Sequence, residues 1–174
     1  SAGLARDALL SVLRGEHDTA YALTRPPGHH CLADSAMGFC LLANIPIAIA
    51  AARAAGLASR FLVIDWDVHH GNGTQSIFYT DPDVHTLSIH QANMFPAGYG
   101  GLADRGEGAG TGANTNLPLP AGCPGSSLGT NLARRAKTAA PRSANSSRTT
   151  SNSGPKGHGK GRSPDQRPTK LNSP

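Results

Sequence analysis

The 174-residue sequence lacks the features of a secreted or membrane protein. Its three cysteines, Cys31, Cys40 and Cys123, are an odd number without paired spacing. This set argues against a disulfide framework and favours a reducing compartment, so we predict a cytoplasmic location. The sequence has no apolar run as long as a membrane span and no charged-then-apolar leader, so it predicts no membrane partner. Because a helical pattern starts at once after Ser1, we expect the chain to be a fragment.

Charge and aromatic residues are unevenly distributed along the chain. Residues 1–122 have no lysine and carry six arginines against ten acidic residues, a net charge of −4. Residues 123–174 carry ten Lys and Arg against one acid, Asp165, a net charge of +9, and have no Val, Ile, Phe, Tyr, Trp or Met. Such a segment cannot bury enough apolar surface to offset its ordering entropy. We therefore predict a globular part, residues 1–122, and a disordered basic tail, residues 123–174.

The basic tail raises the question of nucleic-acid binding. Its ten cations could contact phosphates non-specifically, with a strong dependence on salt. Since the tail has no aromatic stacking residue and no recognised module, it does not predict specific nucleic-acid binding. The oligomeric state stays open at this point.

Hydrophobic periodicity predicts alternating helices and strands in the globular part. Strand–helix–strand order favours a parallel sheet, because consecutive parallel strands need a crossover connection. The fold class is therefore predicted to be α/β, with a central parallel sheet flanked by helices. The predicted helices are 4–13, 44–55 and 74–79, and the predicted strands are 21–23, 61–65, 84–90 and 116–119, of which 61–65 and 84–90 are expected to be buried.

A dense group of polar side chains follows the apolar strand 61–65. Because side chains alternate along an extended backbone, Asp65, Asp67 and His69 can share one side. Asp67 and His69 offer one oxygen and one nitrogen, both of which are ligand types of catalytic zinc. An ordinary polar turn is the alternative, but two carboxylates and two histidines within six residues favour a metal site. In such α/β sheets the chemistry lies just past the carboxyl ends of the strands.

A histidine pair, His29 and His30, ends the stretch Arg25-Pro-Pro-Gly-His-His30. The prolines exclude helix and fix an extended or turning backbone. Taken alone, the pair is compatible with a polar turn. The metal-type cluster about forty residues downstream, at the end of another strand, favours one shared site.

Five short motifs follow one another along the globular part. They are Arg25-Pro-Pro-Gly-His-His30, Gly38-Phe-Cys40, Asp65-Trp-Asp-Val-His-His-Gly-Asn-Gly73, Ser88-Ile-His90 and Phe95-Pro96. In order and spacing these motifs resemble the zinc-dependent histone deacetylase family. They are most similar to the class II and bacterial histone deacetylase-like amidohydrolases, and Asn72 favours that side of the family over class I. The resemblance covers residues 1–122 and implies the arginase/deacetylase α/β fold.

The resemblance implies a role for each matching residue. Asp67 and His69 correspond to two of the three protein ligands of a catalytic zinc ion. The tandem catalytic histidines correspond to His29, supported by Asp65, and His30, supported by Asn72. The acyl-lysine channel corresponds to Gly38, Phe39 and Phe95. A structural K⁺ or Na⁺ site corresponds to Asp65, Asp67, His69, Ser88 and Ile89, and a second one to Phe78, Asp81 and Val84.

The implied reaction is hydrolysis of acetyl-lysine in a protein, of an acetylated polyamine or of another small acyl-amide. Zinc would polarise the amide carbonyl and acidify a bound water. His30 is the predicted proton carrier, since its partner Asn72 holds no full charge. His29, paired with the carboxylate of Asp65, should stay more cationic and act on the oxyanion electrostatically.

Two parts of the family pattern are missing from this sequence. The family takes a third zinc ligand, an Asp, from a later strand and an oxyanion-stabilising Tyr from a Gly-Gly-Tyr stretch. After Gly122 the only acid is Asp165, and the last tyrosine is Tyr99. We therefore predict a catalytically incomplete chain, for which Asp104 and Glu107 are the nearest substitute carboxylates.

Three further readings stay open. The abrupt change after Gly122 suggests a frame-shifted or artificially joined tail, which the coding DNA in the other frames would test. The chain could also be a non-catalytic metal-binding or interaction remnant. Arginase-like hydrolysis would need a two-metal cluster, for which the sequence has no spare carboxylates.

Overall fold

The computed structural model describes residues 1–124, so the predicted tail lies outside the described residues and the predicted boundary after Gly122 stays a prediction. Among these residues, no helix is long and apolar enough to cross a membrane. The elements are α1 (Ala2–Leu13), α2 (Asn44–Ala54), β1 (Phe61–Asp65), α3 (Asn72–Phe78), β2 (Val84–Gln91), a 3₁₀ turn (Gly108–Gly110) and β3 (Asn114–Leu119).

The three strands form one parallel sheet in the order β1-β2-β3. Asp65 at the end of β1 lies beside Ser88 of β2, which in turn lies beside Asn116 of β3. All strands therefore present their carboxyl ends at the same edge. The predicted α/β fold class, a parallel sheet with flanking helices, is confirmed.

A small apolar core joins two helices to two strands. Ile49 of α2, Val63 of β1, Phe78 of α3 and Val84 of β2 form one buried cluster. Burying such side chains contributes about 1.5–3 kcal/mol each relative to leaving them exposed. Because β1 and β2 take part, this core fixes the strand ends on which the polar cluster is built.

Two predictions about strands are wrong. Tyr21 and Leu23 are 86% and 81% exposed and form no strand, because no described strand lies beside them to supply ladder hydrogen bonds. The strand Phe61–Asp65 is present but not buried on both faces, since Leu62 and Ile64 are 62% and 45% exposed. The reason is that only the face of β1 that carries Val63 packs against the core, while Leu62 and Ile64 alternate to the opposite face.

The core predicts a large difference between two phenylalanines. Phe78→Ala removes a buried ring and leaves a cavity, so we expect a loss of about 3–5 kcal/mol in the free energy of unfolding. Phe39→Ala is the matched control, because Phe39 is 93% exposed, and it should cost about 0.5 kcal/mol or less. Urea unfolding followed by circular dichroism measures both. Equal losses in the two variants would contradict the assigned core.

Candidate active site

The loop that carries the two histidines is fastened at the carboxyl edge of the sheet. The backbone carbonyl of His29 accepts the N–H groups of Gly73 at 2.9 Å and of Thr74 at 3.3 Å, both in the first turn of α3. The side-chain amide of Asn44, at the start of α2, donates to the carbonyl of Pro26 at 3.1 Å. First-turn N–H groups have no partner within their own helix, so the His29 carbonyl is well placed to accept them.

His29 is paired with a carboxylate. Its Nδ1 lies 2.9 Å from Oδ2 of Asp65, the last residue of β1. Burial lowers the pKa of His29, but the hydrogen bond and charge of Asp65, together with the charge of Asp67, outweigh it, so the pKa is raised above its ordinary value. His29 therefore favours its cationic form.

His30 is paired with an amide instead. Its Nδ1 lies 2.8 Å from Oδ1 of Asn72, and both residues are buried. Burial lowers the pKa of His30, the hydrogen bond to Asn72 raises it, and the charges of His29 and His69 lower it further, with a net decrease. The pKa values of the two neighbouring imidazoles are therefore shifted in opposite directions. This is expected when one imidazole has a carboxylate partner and the other an amide.

Asp67 and His69 present their donor atoms to each other. Oδ1 of Asp67 lies 3.0 Å from Nδ1 of His69 and also accepts the His69 backbone N–H at 2.7 Å. Burial raises the pKa of Asp67, but the backbone N–H of His69 and the charges of His29 and His69 lower it more, so the carboxylate is favoured. One carboxylate oxygen and one imidazole nitrogen thus face the same point, as two ligands of a zinc ion would.

No third ligand completes this pair within residues 1–124. No group of three or more His, Cys, Asp or Glu side chains in this part of the chain could hold a metal ion. The carboxylate of Asp104 accepts the backbone N–H of Gly101 and lines a cavity of about 710 Å³ together with His70 and His90. That cavity does not include Asp67 or His69, so Asp104 does not supply the missing ligand here.

The predicted catalytic and metal residues lie close together. The rings of His29 and His30 are 3.9 Å apart, and those of His30 and His69 are 5.9 Å apart. Phe95 stands edge-on to both, with its ring 5.0 Å from His30 and 6.3 Å from His69. The ring of Phe39 is directed to solvent and forms no ring pair with Phe95 within the described residues. The catalytic, metal-binding and channel roles of these residues stay predictions.

The close approach of these groups depends on a missing side chain at Gly71. A Cβ at this position would collide with Oδ2 of Asp65, the oxygen that binds His29. Glycine is therefore needed at position 71 because any side chain would displace the Asp65 carboxylate. The backbone does not require it, since φ is an ordinary −78°.

The residues predicted for monovalent cations occupy two separate places. Ser88 of β2 is the register partner of Asp65 of β1, and its hydroxyl lies 3.0 Å from Nδ1 of His90. At the second place, the carboxylate of Asp81 is held by the guanidinium of Arg53. The assignments Asp65, Asp67, His69, Ser88 and Ile89, and Phe78, Asp81 and Val84, stay predictions.

Sequence reasoning missed a buried polar network behind the site. His70 follows His69 but is buried on the opposite side, with its Nε2 3.0 Å from Gln75 Oε1 and 3.1 Å from Asn116 Oδ1. Burial and the charge of His90 lower the pKa of His70 to about 4, so the ring is neutral. Asn114 and Asn116 also donate to Gln75 Oε1, both at 2.9 Å. The one signal in the sequence was strand alternation, which puts His69 and His70 on opposite sides.

The raised pKa of His29 predicts a pH-dependent stability. A histidine has an unfolded pKa of about 6.5. Because the folded value is higher, the pairing with Asp65 contributes stability that is fully present below about pH 6.5 and is lost as pH rises through the folded pKa. Asp65→Asn should therefore cost more stability at about pH 6 than at about pH 9.

Urea unfolding across this pH range measures the effect, with Asp34→Asn as the matched control. Asp34 is an exposed carboxylate on the loop after the histidine pair. Its substitution should change stability little at any pH. A loss in Asp65→Asn that grows with pH would contradict the assignment of His29 as the cationic histidine.

Comparison with known proteins places this geometry in a family. Residues 1–142 match the histone deacetylase domain. The chain is 60% identical over 119 residues to the histone deacetylase-like amidohydrolase of Pseudomonas aeruginosa, covering 68% of this chain and 31% of that protein. It is 48% identical over 117 residues to the acetylpolyamine amidohydrolase of Burkholderia pseudomallei, covering 66% of this chain and 34% of that protein.

Solved structures agree. The crystal structure of acetylpolyamine aminohydrolase from Burkholderia pseudomallei superposes with a TM-score of 0.72 at 43% identity, covering 78% of this chain and 40% of that one. The chain thus spans about a third of the length of these curated relatives. The matched domain, the parallel sheet and the identities together establish that the chain belongs to the histone deacetylase family.

Proposed function

We propose that this chain carries part of the machinery for zinc-dependent hydrolysis of an acyl-amide. The observation that carries the proposal is the cluster at the end of β1. Two adjacent imidazoles there have unlike partners, Asp65 and Asn72, and stand next to an oxygen–nitrogen donor pair. Acid–base groups beside a metal-ligand pair fit hydrolysis better than binding alone.

The two histidines divide the proton chemistry. His30 donates through Nδ1 to Asn72, so its Nε2 is left to take a proton from an attacking water and return it to the leaving amine. His29, kept cationic by Asp65, stabilises negative charge that develops on the carbonyl oxygen. Their opposite pKa directions support this division of roles.

The donor set for zinc is incomplete within the described residues. A catalytic zinc ion keeps three protein ligands and one open position, and Asp67 and His69 are two of them. When bound, the metal would polarise the amide carbonyl and lower the pKa of a water. With two ligands, we expect weak zinc binding and poor hydrolysis by the chain itself.

The proposed substrates are acetyl-lysine in proteins, acetylated polyamines and other small acyl-amides. Relatives named for the first two kinds resemble this chain, at 60% identity for a histone deacetylase-like amidohydrolase and 48% for an acetylpolyamine amidohydrolase. Phe95, which stands over His30 and His69, would pack against the aliphatic stem of such a substrate. Phe39 would be the second wall, with Gly38 beside it.

A few finer assignments belong to the same proposal. The reaction would take place in the cytoplasm, where the buried free thiols of Cys31 and Cys40 stay reduced. A K⁺ or Na⁺ ion would bind near Ser88, beside the end of β1. The alternative to an enzyme is a non-catalytic metal-binding or interaction remnant, with which a donor set of two within residues 1–124 is also compatible.

Zinc binding and hydrolysis can be measured together. Purified protein is titrated with zinc by calorimetry and then incubated with zinc and a fluorogenic acetyl-lysine peptide or acetylated polyamine. Loss of one oxyanion donor costs about 10²–10³ in rate elsewhere. We expect turnover at least that far below full-length Pseudomonas aeruginosa histone deacetylase-like amidohydrolase run in parallel.

Matched variants separate the outcomes. His69→Ala should remove the remaining zinc binding, whereas His17→Ala, at an exposed histidine on the loop after α1, should not. Zinc binding without turnover favours the non-catalytic alternative. Robust turnover that His30→Ala abolishes would show that the chain completes its site with residues other than those named above.

A further inference from the structure

The side chain of Asn72 is the link that determines how His30 carries its proton. An amide has an acceptor end and a donor end, and either end fits the same space. Asn72 is completely buried, so water cannot satisfy either end. Its Oδ1 lies 2.8 Å from Nδ1 of His30, and its Nδ2 donates to Sδ of Met37 at 3.4 Å.

Reversing this amide would be unfavourable because of Met37. A thioether has lone pairs but no hydrogen to donate. In the reversed orientation, Oδ1 of Asn72 would face that sulfur and stay unpaired, and a buried acceptor without a partner is unfavourable. The observed orientation leaves His30 only one way to bind Oδ1, which is to donate from Nδ1. A neutral imidazole has a single N–H, so Nε2 is then the free lone pair.

A tight turn holds Met37 in this place. Backbone N–H groups of Met37 and Cys40 each bind the carbonyl of the other, at 3.1 and 2.8 Å. The two residues between them, Gly38 and Phe39, have φ of +55° and +62°, the two positive values of a type I′ turn. Any Cβ on Gly38 would collide with the ring of His30.

The same turn also contacts the main chain of the histidine. The backbone N–H of His30 donates to Sγ of Cys40 at 3.4 Å. The turn therefore contacts His30 at its backbone through Cys40, at its ring through Gly38, and at its Nδ1 indirectly through Met37 and Asn72. Of these contacts, only the one through Met37 distinguishes the two ends of the amide.

We propose that Met37 is a positioning residue: by accepting the Asn72 N–H it orients the amide, holds the His30 proton on Nδ1 and leaves Nε2 free as the proton acceptor. This inference rests on the proposed acid–base role of His30. Its test requires neither zinc nor turnover, so it can fail while the proposed function stands, and the reverse.

The experiment reads the tautomer directly. The protein is labelled with ¹⁵N-histidine and studied by NMR at mildly alkaline pH, where His30 is neutral, and His30→Ala identifies the signals. The wild-type chain should show a protonated Nδ1 and an unprotonated Nε2. In Met37→Leu, a volume-conserving change, the ratio of the Nδ1–H to the Nε2–H form should fall about two- to tenfold, the equilibrium value of one ordinary hydrogen bond.

Two matched variants separate orientation from packing. Met94→Leu, at the second methionine of the chain, should leave the His30 tautomer unchanged. In an Asn72→Asp background, both carboxylate oxygens accept, so the group needs no orienting partner. There Met37→Leu should change the tautomer ratio by less than in the chain that keeps Asn72.

Three results on the tautomer would overturn the proposal. They are a wild-type His30 protonated on Nε2, an unchanged ratio in Met37→Leu, and an equal change with and without the Asn72→Asp substitution, which would indicate packing alone. If Met37→Leu does not fold, the wild-type chain still decides the point. An NOE between the Asn72 side-chain amide protons and the Met37 methyl group supports the contact, and its absence overturns it.

Discussion

The backbone carbonyl of His29, bound to the first turn of α3, makes the contact on which the candidate site depends. It receives two N–H groups that the helix cannot satisfy itself. The segment from β1 to α3 also supplies both ring partners, since Asp65 ends the strand and Asn72 begins the helix. One docking contact therefore aligns both imidazoles, and a shift of the loop would separate both from their partners together.

The two imidazoles have chemically different partners, a carboxylate for His29 and an amide for His30. Two imidazoles with ring centres 3.9 Å apart repel each other when both are charged. A carboxylate beside one ring and an amide beside the other resolve this conflict, because only His29 has a full compensating charge. Pairs of titratable groups pushed in opposite directions are typical of sites that need an acid and a base at the same pH.

The proposed acid–base part of the site and the proposed metal part are assembled to different degrees. Both histidines have their partners within the described residues, whereas the proposed metal donors among those residues are Asp67 and His69 alone. The strand that leads to these donors, β1, is also the one with exposed apolar residues on its outer face. The two histidine pairs join residues 36 and 42 positions apart, so both are formed within residues 29–72.

Local sequence pattern predicted most of the helices and strands and the polar cluster at the end of β1. The apolar run 61–64 and the polar residues after it specified a strand that ends in metal-type ligands, and the family motifs specified which histidine pairs with Asp65 and which with Asn72. Periodicity describes how a segment alternates, but it cannot say whether a neighbour covers each face. For that reason the exposure of Leu62, Ile64 and Tyr21–Leu23 was decided only in the tertiary structure. The contact between Met37 and Asn72 was also decided only in the tertiary structure. These residues are 35 positions apart and meet only because the turn and α3 pack around His30.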